Sequence, residues 1–304
     1  MSNTAFNSNY IGVSGLRNDT QNFRLTLTSN TPVMTSEVLA ATTLYLTPYT
    51  GNRIALYNGS SWDLLISSQV SISLSTISAD TNYDVFAYNN SGTVTLELLA
   101  WTSSGAGTSA RATSLAYQDG ILVKSGTATR RYIGTIRGSA SGQSQFSFGG
   151  LANGGTEAKL YVWNYNNRVL HTARSGDTTD SWAYSTSGAW RAANGSNTAR
   201  ISFVCGLTED RVQSSYSVYC VTNAGNVSCG IGVGLNSTTV FSGSTAHNNA
   251  SPVNLQARYD GIIPIGFNYL QALEILGNPG TVIFFGDAGT SLYQISSLQF
   301  SFMM

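Results

Sequence analysis

Residues 24–62, RLTLTSNTPVMTSEVLAATTLYLTPYTGNRIALYNGSSW, decide the fold class. Phe23, Leu25 and Leu27 alternate with Arg24, Thr26 and Thr28, the period of two that belongs to a half-buried strand. Leu44 and Leu46 repeat the pattern until Thr47-Pro48 stops it, since proline brings no donor to a ladder. Residues 53–57 and 62–66 flank Asn58-Gly59, the dipeptide that best tolerates the positive φ of a tight hairpin turn. Short strands joined by turns are predicted, and nothing in the stretch looks like an active site.

The same reading extends to both sides. Residues 1–20 lack any period and read as an arm, with Phe6, Tyr10, Ile11, Val13 and Leu16 spaced among Asn, Ser and Gly as anchors for a partner surface. A frayed terminus is the plain alternative. Val70, Ile72 and Leu74 alternate with serines, and Val94, Leu96 and Leu98 repeat the pattern. Residues 83–88 form a further strand, closed by the turn Asn89-Asn90-Ser91-Gly92. Residues 138–155, rich in Gly, Ser and Gln, are placed as a domain boundary, although Phe146 and Phe148 alternate within them as a strand would. Beyond it, residues 159–165, 199–207, 216–221, 227–235 and 253–259 are strand-like. Residues 266–276 and 281–285 flank Asn278-Pro279-Gly280 as a longer hairpin would, while residues 269–276 (YLQALEIL) are the best helical candidate. Leu298, Phe300 and Phe302 form an apolar alternating strand that requires cover. The expected fold is all-β: an arm (1–20), a sandwich or barrel (21–137) and a second, jelly-roll-like β-sandwich (138–304).

Composition narrows the function. Charged residues make up 10% of the 304 positions, against about 25% in ordinary globular proteins, and acids and bases balance at 15 each. No basic footprint for nucleic acid is present. Apolar residues at 42% place the chain among folded proteins. No apolar run is long enough to span a bilayer as a helix, so no membrane insertion is expected. Residues 1–10 show no signal-peptide pattern, which predicts synthesis in the cytoplasm.

Chemistry-bearing motifs are scarce. His171 and His247 have no metal-ligand spacing, and Cys205, Cys220 and Cys229 sit in apolar runs that predict buried free thiols. A disulfide between two of them would leave the third unpaired. Residues 105–110 (GAGTSA) match the letters of a dinucleotide fingerprint, but no helix follows to bind phosphate. Asp177 with Asp180, Glu209 with Asp210, Asp260 and Asp287 are the available acids, and residues of this kind in loops usually cap turns. No catalytic residue, metal or cofactor is therefore predicted. Tyr161, Trp163 and Tyr165, followed by Trp182, Tyr184 and Trp190, form the remaining candidate site. They suit a core, a subunit interface or a face that stacks on sugar rings.

The words TPV (31–33), LYLTPY (44–49) and GNRIALYNG (51–59), with Trp62 following, resemble the front module of virion structural proteins of tailed bacteriophages over residues 23–137. The resemblance implies a particle component in the virion, with the major capsid protein or other virion proteins as partners. Two roles follow. One is a capsid decoration protein (cement protein, knob or head fibre). The other is a tail fibre or spike that contacts host surface polysaccharide. The absence of a rod-forming heptad or collagen-like repeat favours the compact, decorating role. A homotrimer is expected, by analogy with the symmetry of capsids and fibres and because the apolar residues 299–304 need covering.

Overall fold

The computed structural model of the chain describes residues 18–150, 156–249, 251–287 and 295–304. Among them every regular element is a strand except one 3-10 turn at Ala193–Gly195, so the all-β expectation holds. Phe23–Thr26 pairs antiparallel with Thr43–Pro48, which pairs with Val70–Ser73, and Leu25 faces Leu46 across the first ladder. Arg53–Tyr57 and Trp62–Ile66 form the hairpin that Asn58-Gly59 predicts. Its loop has four residues, and the Asn58 carboxamide oxygen closes it by accepting the N–H groups of Ser60 and Ser61, both at 2.9 Å. Asn82–Asn90 and Thr93–Ala100 are joined by Ser91-Gly92, whose φ values of 50° and 89° are both left-handed, as a type I′ turn requires.

Residues 138–147 form the hairpin between Thr127–Ala140 and Gln143–Ser147, and Phe146 lies on a strand as its alternation suggests. Gln143–Ser147 then pairs with Ala158–Leu160, which runs parallel to Arg200–Cys205. One ladder thus passes from strands before residue 138 to strands after it. A buried arginine pins the start of the described chain to this sheet. The Arg131 guanidinium donates to the carbonyls of Asn18, Asp19, Thr20 and Ala55 at 2.8–3.1 Å. Charge-assisted bonds of this kind compensate the burial of the cation.

In the second half a sheet runs in the order Leu170–Ser175, Ser297–Met303, Arg211–Thr222 and Val253–Ile262. Its inner face packs on Arg200–Cys205 and Gly266–Leu276, with Phe203 4.9 Å from Phe300 and 5.6 Å from Phe302 between ring centroids. The apolar residues 298–302 therefore find their cover inside the chain, at a gain of roughly 2 kcal/mol for each buried aromatic. The need for cover that led to the expectation of a trimer is met internally.

Two local expectations are corrected. Residues 269–276 are not helical but belong to the strand Gly266–Leu276, which lies between Arg200–Cys205 and Cys229–Leu235. A strand covered on both faces loses its alternation, and the short apolar run left behind imitates a helix face. Nor do residues 266–276 pair with residues 281–285: Val282–Phe285 joins Arg211–Thr222 and Ser181–Tyr184 in the other sheet. Asn278-Pro279-Gly280 carries the chain from one layer of the sandwich to the other.

Candidate functional site

The anchors Phe6, Tyr10, Ile11, Val13 and Leu16 lie outside the described residues. The aromatic candidates are dispersed. Tyr161, Trp163 and Trp182 are buried, while Tyr165 and Trp190 are half-buried. Trp163 is fully enclosed, and a Cβ at position 206 would collide with its ring and with the Tyr132 hydroxyl, so Gly206 is what lets the backbone approach. Faces enclosed in this way cannot stack on a sugar, and core packing accounts for these three residues. Trp190 instead meets Phe241, 5.3 Å between centroids, beside the exposed Val240.

Four of the sequence-selected acids, Asp177, Glu209, Asp210 and Asp260, are held as structural partners. Asp177 accepts the Thr179 N–H at 2.9 Å and the Asn194 amide at 3.0 Å, as a turn cap does. Glu209 and Asp210 both pair with Arg168, which lies over the Trp163 ring. Two buried carboxylates escaped the sequence reading: Asp84, paired with Arg111 at 2.8 Å, and Glu274, fully buried and bound by Trp182 Nε1 at 2.8 Å and Arg191 Nε at 2.7 Å. Burial pushes the Glu274 pKa up to about 7, although Arg191 and Trp182 pull the other way. The 105–110 loop closes on itself through Ser109 Oγ to Gly105 O at 2.9 Å and docks on the strand Gly266–Leu276 through Gly107 N–H to Phe267 O at 3.1 Å. Its fingerprint-like spelling has no phosphate-binding geometry. Among the described residues no three His, Cys, Asp or Glu side chains converge as a metal site would require. No helix among them is long and apolar enough to cross a membrane.

A broad concavity lies elsewhere, on the outer face of the sheet that carries residues 170–175, 297–303, 211–222 and 253–262. It is an open trough of about 1250 Å³, walled by residues 33–35 and 148–150. Strand register sets its floor. Thr172, Ser301, Gln213 and Asp260 stand opposite one another in one row, and Arg174, Gln299, Ser215 and Arg258 in the next. Each alternates with a side chain of the inner face, such as Ala173, Phe300, Ser214 or Ala257. Strands spaced about 4.8 Å apart make each row roughly 14 Å long. Arg174 and Arg258 thus stand at opposite ends of a row whose middle offers an amide and a hydroxyl. Arg174 is braced by Nε to Ser297 Oγ at 2.9 Å, and Arg258 by Nη2 to the Gln256 oxygen at 3.1 Å. Asp260 is engaged by Arg211 at 2.8 Å, so the trough presents an excess of positive charge. In sequence each of these residues looks like an ordinary solvent-facing strand position. Only the non-local order of four strands assembles them.

No family model and no curated protein matches the chain. Among solved structures it is similar to the insecticidal delta-endotoxin Cry8Ea1 of Bacillus thuringiensis, at 8% identity and a TM-score of 0.24, over 93% of this chain and 52% of that one. A Cry1Da tryptic core variant from the same organism gives 8% identity and a TM-score of 0.21, over 86% and 48%. The exo-beta-1,3-galactanase of Phanerochaete chrysosporium, in a structure with galactose, gives 10% and 0.15, over 88% and 69%. The chain spans about half the length of the two toxin chains. Likeness at this level carries no argument about what the chain does.

Proposed function

We propose that this chain is a non-enzymatic structural component of a tailed-phage virion, and that its working surface is the trough, which holds an anionic polysaccharide of the host surface. The observation that carries the binding role is the two-row floor, with Arg174 and Arg258 about 14 Å apart and amides and hydroxyls between them. Amide and hydroxyl groups exchange hydrogen bonds with a polyhydroxylated chain, and guanidinium groups take carboxylates in two-pronged fashion. The volume exceeds that of an ordinary small-ligand pocket and is open along its length, which suits a polymer. The phage assignment is supported by the sequence words at residues 31–33, 44–49 and 51–59.

A second reading, capsid decoration as a homotrimer, is favoured by one specific feature. Val240 and Phe241 are 60% and 43% exposed and sit beside Trp190, an apolar patch that a second copy or a capsid surface would cover. Reconstruction of the intact particle discriminates the two. Density for this chain at the tail tip with the trough outward supports host recognition, and density on the capsid lattice with Phe241 buried supports decoration. Absence of the chain from purified particles overturns both.

A further inference from the structure

Cys220 lies near the end of the strand Arg211–Thr222, and Cys229 opens the strand Cys229–Leu235, so the two thiols belong to opposite layers of the sandwich. Both are buried, and their sulfurs are 3.0 Å apart. That is closer than the ~3.5–4 Å of ordinary non-bonded packing and about 1 Å longer than a disulfide bond. We propose that Cys220 and Cys229 are an oxidisable pair that forms an intrachain disulfide on meeting a small-molecule disulfide, riveting the two sheets, while Cys205 remains a thiol.

The contact sets the order of events. One thiol donates its S–H to the other sulfur, which favours the thiolate form of the acceptor. The accepting sulfur is the attacking thiolate. It displaces one small thiolate from the oxidant and forms a mixed disulfide. The partner thiol then loses its proton to solvent and attacks the first sulfur, expelling the second small thiolate. The protein gives up two protons and two electrons, and the oxidant leaves as two thiols. Residues 223–226 are all exposed, and opening of this short connection gives the oxidant its way in. Cys205 is placed differently. Its S–H donates to the Leu207 carbonyl at 2.8 Å, and burial pushes its pKa up to about 12. It meets no second sulfur in the geometry that exchange requires.

The full chain, purified under reductant and then exchanged into oxidised glutathione, is tested by thiol titration in denaturant and by intact mass. Thiols should fall from three to one, with a mass loss of about 2 Da and a peptide linking Cys220 to Cys229. The thermal midpoint should rise by roughly 5 °C, because a closed loop restricts the unfolded chain. Cys205→Ser should lose its two remaining thiols in the same way. Cys220→Ser should stop at a glutathione adduct or stay unmodified. Retention of three thiols, a stable glutathione adduct on the unaltered chain, or a linkage through Cys205 overturns the proposal. If Cys220→Ser does not fold, the unaltered chain and Cys205→Ser decide the question by themselves.

Discussion

His171 offers a direct test of how burial sets the pH response. Its ring is 5% exposed and packs 5.0 Å from Phe146 and 6.3 Å from Phe148, on the inner side of the trough wall. Burial, with a smaller contribution from Arg24, lowers its pKa from 6.5 to about 4. A histidine depressed in this way is neutral in the fold and gains its proton on unfolding. The stability it confers is complete above pH 6.5, falls as the pH drops from 6.5 to 4, and falls no further below that. At 1.36 kcal/mol per pKa unit, the loss amounts to about 3 kcal/mol over the window. The variant His171→Phe keeps an aromatic ring and removes the titration. Urea unfolding of both proteins at pH 7.5, 5.5 and 4.0 measures the effect, and the informative quantity is the difference between the two at each pH. The variant should gain on the unaltered protein by about 3 kcal/mol between pH 7.5 and 4.0. Parallel pH curves would refute the reasoning, whatever the absolute stability of the variant.

Two further outcomes follow from other buried charges. Glu274 has the opposite sign: its pKa is raised, so the stability of its protonated form is present below pH 4.5 and lost as pH rises through about 7. Glu274→Gln should therefore gain relative to the unaltered protein as pH rises from 4.5 to 7, by at most about 3 kcal/mol in the same urea series. Arg131→Met leaves four carbonyls without their shared donor and should cost about 3 kcal/mol. Its urea midpoint should fall, and amide exchange at residues 54–57 should accelerate.

The parts of this fold legible in the sequence are those set by neighbours along the chain. Asn58 and Ser91-Gly92 announce their turns because the chemistry of a turn is contained in a few residues. Leu298, Phe300 and Phe302 announce a strand because its other face, at Gln299 and Ser301, meets solvent. Residues 269–276 mislead because both faces are covered and Gln271 and Glu274 are fully buried among hydrogen-bond partners, which hides the period of two. Asn278-Pro279-Gly280 shows that the chain turns, not which strand it will then meet. The spacing of Tyr161 and Trp163 shows a shared face but not that the chain itself encloses it. The trough was illegible for the same reason. Arg174 and Arg258 are 84 positions apart and share a row only after residues 297–303 and 211–222 insert between their strands.

Titration of the protein with an acidic host-surface polysaccharide, compared at low and high salt with a neutral polysaccharide of similar length, tests the binding role most directly. The unaltered chain should bind the acidic polymer, and the paired variant Arg174→Gln, Arg258→Gln should lose at least about tenfold in affinity while its thermal midpoint stays unchanged. Raised salt should weaken the unaltered protein and leave the paired variant nearly unaffected. Equal binding of both proteins to both polymers, or none by either, would contradict the trough as the working surface.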